Sequence, residues 1–109
     1  MTTDTKAQRQ ARADPVAVDP KHYKVEIDND QVRALRITYD PHDKSVMHGH
    51  PAAVLICLTD FHVKFTSPDG KTEERRGRAG ETIWTPAEEH LPENLGTKRL
   101  ELILVELKR

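Results

Sequence analysis

The chain has 109 residues, 32% of them charged and 36% apolar, with 18 acidic against 17 basic side chains and a formal net charge of −1. One domain fits this length, and so even a balance excludes the strong field that steers nucleic acid or anionic lipid. Its one cysteine, Cys57, excludes an intramolecular disulfide and permits a cytoplasmic home.

No apolar stretch reaches the roughly 20 residues a membrane-spanning helix needs. The opening "MTTDTKAQRQARADPVAVDP" has no apolar run of the kind a secretory signal carries. Residues 1–19 have too little apolar surface to offset their ordering entropy, so they are expected to form a disordered tail ahead of a domain at 20–109. Lys6, Arg9 and Arg12 read there as solvating charges.

Beyond Pro20 the pattern is of short strands and turns. "HYKVEID" alternates, which puts Tyr23, Val25 and Ile27 on one side. Asp28, Asn29 and Asp30 form a turn. "QVRALRITY" is the next strand, and its apolar parity shifts between Ala34 and Leu35, which predicts a bulge or burial on both faces. A loop, "DPHDKS", leads to "MHGHPAAVLICL", where two histidines precede an apolar run. "FHVKFT" sets Phe61, Val63 and Phe65 against His62 and Lys64. "SPDG" is a tight turn. "KTEERRG" is polar on both faces, a rim strand or a weakly ordered one. "AGETIWTP" is a short strand stopped by Pro86, and "NLGTK" turns the chain into "RLELILVELK". No segment holds a helical period over ten residues or more, and turns recur about every eight to twelve residues. That spacing predicts an all-β sandwich or barrel of antiparallel strands.

The last strand is apolar on both faces, with Leu100, Leu102 and Leu104 on one and Ile103, Val105 and Leu107 on the other. One face belongs to the barrel core. The other calls for a second cover, and a homodimer is the expectation, with the first strand or the N-terminal segment as the alternative.

His48 and His50 are two apart, so on a strand both imidazoles point to the same side. That arrangement suits a divalent metal, and a third ligand has to come from elsewhere. His90 lies further along in "TPAEEHLPENLG". The two motifs resemble those of the cupin superfamily, G-x5-H-x-H-x3/4-E-x6-G and G-x5-P-x-G-x2-H-x3-N. "HDKSVMHGH" places His48 and His50 at the first motif's histidines. "GETIWTPAEEHLPEN" supplies Gly80, Pro86, His90 and Asn94 for the second. The resemblance covers about residues 22 to 108 and implies a jelly-roll-like cupin barrel of two packed sheets.

It further implies a three-histidine site, His48, His50 and His90, for one divalent ion, whether Fe, Zn, Mn, Ni or Cu, with a small-molecule ligand in the barrel. The family's glutamate is missing: Val54 or Leu55 stands in its place, depending on the spacing. His42 and Phe61 stand where the first motif has glycines, and Glu88 where the second has one. No general base is evident. The resemblance permits a metal-dependent dioxygenase or isomerase acting on a small organic anion. It equally permits a non-catalytic metal- or ligand-binding or sensor protein. Cys57 reads as a packed core thiol, His62 and His42 as exposed, and Trp84 as either a pocket wall or core. Glu89 and Glu93 read as part of a solvated loop, and Asn94 as structural.

Overall fold

The structure, a computed structural model, describes residues 13–108. Among the described residues are one helical turn, α1 (Pro15–Val18), and nine strands: β1 (Tyr23–Asp28), β2 (Val32–Tyr39), β3 (His48–His50), β4 (Ala53–Cys57), β5 (Phe61–Thr66), β6 (Thr72–Gly77), β7 (Thr82–Thr85), β8 (Glu88–Asn94) and β9 (Leu100–Leu107). A five-stranded sheet runs β1-β2-β9-β4-β7 and a four-stranded sheet runs β3-β8-β5-β6, with antiparallel pairings throughout. The all-β fold of two packed sheets is thus as expected.

The inner faces meet in a core built around Leu35, Ile37, Tyr39, Ala53, Cys57, Phe61, Val63, Leu100, Leu102 and Leu104. Strand periodicity explains it, since alternate residues of β2, β4, β5 and β9 point inward. Cys57 is indeed a packed core thiol, opposite Leu102. Phe61 has room because Gly77 faces it: a Cβ on Gly77 would lie 2.3 Å from the Phe61 ring. Gly70 ends the "SPDG" turn at φ 89°, in the left-handed region that favours glycine.

Three local expectations need correcting. Val25 and Ile27 do not join Tyr23 in the core. The β1–β2 register shifts between Val25 and Ile27, opposite Leu35 and Ala34, so the bulge lies in β1 and turns Ile27 to the outer face. Ala34 and Leu35 are both buried, as the parity shift in "QVRALRITY" required. The segment around Glu89 and Glu93 is not a loop but part of β8, which pairs with both β3 and β5. Polar residues hid it, because its inner face carries histidine, proline and asparagine instead of aliphatic side chains.

The third correction concerns the expected tail. Residues 1–12, with Lys6, Arg9 and Arg12, lie outside the described residues. Ala13 to Asp19, however, are placed in the fold. Asp14 caps α1 by accepting from the Val16 amide, Pro15 is buried, and the Ala13 carbonyl accepts from the Gly49 amide of β3 at 2.9 Å. "KTEERRG" is a strand, β6, at the rim of its sheet.

Two substitutions separate the core from the surface. Gly77→Val should lower unfolding stability by about 1–3 kcal/mol through overpacking against Phe61. Val25→Ser should stay within about 0.5 kcal/mol, because Val25 is exposed. Urea unfolding followed by tryptophan fluorescence measures both.

Candidate metal centre

His48, His50 and His90 converge because of strand register. His48 lies directly opposite His90 in the β3–β8 pair, and His50 lies opposite Glu88. Facing residues of an antiparallel pair share a side of the sheet, and His48 and His50 share theirs by the two-residue period. The three imidazoles are buried, with ring centroids 4.8, 5.1 and 5.3 Å apart. One ring nitrogen from each lies within 4.8 Å of the others, a grouping that could hold a metal ion.

Each ring is held differently. His48 Nδ1 donates to the Val46 carbonyl at 2.8 Å, so Nε2 carries its lone pair, 3.1 Å from the Tyr23 hydroxyl. Tyr23 in turn bonds the Tyr39 hydroxyl at 2.7 Å. His50 Nδ1 lies 2.8 Å from Glu106 Oε2, and that carboxylate's other oxygen accepts from Arg33 Nε at 2.9 Å. His90 stacks on Phe65 at 4.4 Å, and the Arg75 guanidinium lies 4.7 Å from the centre of the same Phe65 ring. Arg75 also forks onto Glu88 at 3.0 and 3.1 Å. Among the described residues, His90 Nδ1 is the buried side-chain nitrogen left without a hydrogen-bond partner; Glu88 approaches it no closer than 3.7 Å.

Burial, reinforced by His50 and His90, pushes His48 down to about 3, and burial lowers His90 as well. Neutral imidazole is the form that binds metal. An orphaned ring nitrogen, low basicity and an all-nitrogen donor set together fit a divalent cation. Tyr23 and Tyr39 titrate above their usual range because of burial, so both stay protonated. Nearby His90, at 3.7 Å, and then the forked Arg75 hold Glu88 down to about 2.

A cavity of about 320 Å³ opens beside the histidines. Its wall is mostly apolar, including Ile37, Leu55, Phe61, Val63, Phe65 and Ile83, with Tyr23, His50, Arg75, Glu88 and His90 as polar members. Leu55 faces this cavity, whereas Val54 pairs with Trp84 and Val105 on the outer face. Of the two positions where the resemblance would put the carboxylate, Leu55 is the one on the cavity side.

Other expectations around the site are met in part. His42 is exposed, in the left-handed region at φ 67°, whereas His62 is half-buried and pairs with Glu74. Asn94 is structural: its amide donates to the carbonyls of Tyr39, Asp40 and Lys98 and accepts from the Gly96 amide. Trp84 lines neither pocket nor core and is 59% exposed. Sequence reading missed Tyr23, Tyr39, Glu88, Glu106 and His22 as site residues. His22 is buried between Asp19 at 2.7 Å and Asp43 at 3.1 Å and stacks on Tyr39 at 4.2 Å. One signal was available: the inward series Leu100, Leu102, Leu104 continues by parity to Glu106.

No protein-family profile and no curated protein matches this sequence. Solved structures do. A cupin domain from Bordetella pertussis Tohama I has a TM-score of 0.73 at 21% identity, over 80% of this chain and 92% of that one. A cupin family protein with a double-stranded β-helix fold, from Methanocaldococcus jannaschii, has a TM-score of 0.60 at 20% identity, over 82% and 83%. A polyketide cyclase from Streptomyces resistomycificus has a TM-score of 0.57 at 22% identity, over 78% of this chain and 63% of that one. The likeness establishes the fold: the chain folds as a small cupin-type barrel, a double-stranded β-helix, and its histidine cluster could hold a metal.

The histidine shifts have a consequence for stability. Between about pH 6.5 and pH 3 the unfolded chain takes up a proton at His48 that the folded, metal-free chain does not. Stability should therefore fall as pH drops through that window, by up to about 1.4 kcal/mol per pH unit for each such histidine. Urea midpoints of metal-free protein at pH 7 and pH 5 test this; His48→Asn should flatten the dependence.

Proposed function

We propose that this protein holds one divalent metal ion on His48, His50 and His90 and presents it to a small organic anion in the barrel. The observation that carries the reading is the cluster itself: three buried imidazoles in one register-fixed group, with an orphaned nitrogen, two of them (His50 and His90) at the wall of an apolar cavity. When bound, the metal supplies a Lewis acid and a template. The protein's own residues do the rest. Tyr23 offers a neutral hydroxyl beside His48, Phe65 and Arg75 hold His90 in place, and the aliphatic wall excludes water.

Three neutral ligands leave the dication's charge uncompensated, which calls for an anion from the ligand. An enolate, a phenolate or a carboxylate with an apolar body matches the cavity. The likeness to a polyketide cyclase supports this class, since a polyketone combines an apolar body with chelating oxygens. Metal-assisted oxygen insertion and plain ligand binding both suit the site. Isomerisation suits it less, because Glu88, the carboxylate in the cavity wall, is tied to Arg75 and is a weak base. The free, buried thiol of Cys57 fits a reducing cytoplasmic setting.

Elemental analysis of protein purified without an affinity tag, followed by titration of the demetallated form with Fe(II), Zn(II), Mn(II), Ni(II) and Cu(II), should give one equivalent. His50→Ala should weaken binding, and Leu55→Glu should tighten it if the new oxygen reaches the ion, whereas Val54→Glu should not. Equal affinity in wild type and His50→Ala would remove the assignment. Oxygen uptake by the iron form with small 1,3-dicarbonyl or phenolic acids separates an enzyme from a binding protein: turnover supports the dioxygenase, and saturable binding without turnover supports the sensor.

A homodimer belongs to the same reading. On the outer face of the five-stranded sheet, Ile27, Ala34, Val105, Val54 and Trp84 stand in one register row across β1, β2, β9, β4 and β7. Ile27 is 53% exposed. A two-fold copy would cover this row with its own, each newly buried large side chain contributing on the order of 1.5–3 kcal/mol. Sedimentation equilibrium should report twice the 12.4 kDa chain mass, and Val105→Asp should shift it to the monomer. A wild-type monomer at micromolar concentration would exclude the dimer.

A further inference from the structure

We infer that Glu106, anchored by Arg33 and through it by Asp14, positions His50 for metal binding by fixing which ring nitrogen faces the cluster; this rests on the metal reading above. Glu106 is the inward residue that breaks the leucine series of β9, and it is 2% exposed. Its two oxygens have separate tasks. Oε1 accepts from Arg33 Nε at 2.9 Å, and Oε2 faces His50 Nδ1 at 2.8 Å. A carboxylate can only accept, so Nδ1 carries a proton, and in the neutral ring Nε2 is the nitrogen left to serve as ligand. A ring flip would leave both nitrogens badly placed.

The anchor extends further. The Arg33 guanidinium also grips Asp14, at 2.7 and 3.2 Å, and Asp14 caps α1. Alongside it, the Ala13 carbonyl accepts from Gly49, the residue between the two β3 histidines. The short segment before β1 is thereby tied to β3 and, through Arg33 and Glu106, to the orientation of one imidazole. Glu106 is not grouped with the three histidines as a direct donor. The carboxylate absent at Leu55 has a counterpart here, placed behind a ligand instead of beside the ion. A carboxylate in that position fixes tautomer and ring orientation and raises ligand basicity.

The test uses Zn(II) as the probe and reads two signals. Long-range ¹H–¹⁵N correlation on metal-free protein should show His50 as the Nδ1–H tautomer in wild type, and Glu106→Leu should shift it toward Nε2–H. Zn(II) affinity should fall about 10- to 100-fold in Glu106→Leu and less in Glu106→Gln, whose amide oxygen still accepts from Nδ1. In a His50→Ala background, Glu106→Leu should cause no further loss. An equal loss in both backgrounds would mean that Glu106 acts only on the fold and would overturn the inference. So would unchanged His50 ring signals. If Glu106→Leu does not fold, the same ring signals in Glu106→Gln decide: the Nδ1–H resonance should move, and an unmoved one overturns the inference. If wild type binds no Zn(II), the metal reading fails, while the tautomer measurement still decides the role of Glu106.

Discussion

The centre depends on the pairing of β3 with β8. β3 is three residues long, and a one-residue slip would turn both of its histidines to the other side of the sheet. Three pairs of facing residues could not hold that register alone. The loop before β3 extends it: the His42 amide donates to the Asn94 carbonyl, the Asn94 amide to the Asp43 carbonyl, and the Ser45 amide to the Pro92 carbonyl, with Lys44 bridging Glu93. On the other side Ala13 accepts from Gly49. The histidines are therefore fixed by backbone bonds on both sides of β3.

A polar cluster inside a small barrel needs its own support, because each buried polar group must find a partner. Two networks supply it. One runs through Tyr39 and Tyr23 to His48. The other joins Asp43, His22, Asp19 and Ser45, and Ser45 closes on His48 Nδ1 at 3.4 Å. His22 connects them by stacking on Tyr39. With Glu106 behind His50 and Phe65 against His90, every ring of the cluster is held from behind by a different part of the chain.

The fold was largely legible in the sequence because turn chemistry and period-two alternation are local properties. β2, β5 and β9 could be read from their aliphatic residues, and the histidine pair from its spacing. β8 could not. Its inner face holds Glu88, His90, Pro92 and Asn94, and nothing local marks these as a buried strand. The parity shift in β2 answers to burial on both of its faces, and the bulge in β1 left no mark of its own in the alternation of "HYKVEID". His22, Asp43 and Tyr39 come together over long separations that no spacing rule encodes. Asp14 and Pro15 lie in a segment too polar to order by itself, and it is ordered by bonds to Arg33 and β3.

The leucine at position 55 bears on selectivity among ions. Its aliphatic side chain leaves the cluster without an oxygen donor from β4, so what converges is three imidazole nitrogens. Hard cations such as magnesium and calcium, abundant in any cell, prefer oxygen and hydration and gain little from such a set. Borderline ions gain more, in an order that rises from manganese to copper. A cup of this composition would favour the scarcer borderline ions over the commonest divalent ions. On the metal reading proposed above, supply in the compartment where the barrel folds, more than the shape of the barrel, would decide which of the scarce ions occupies it.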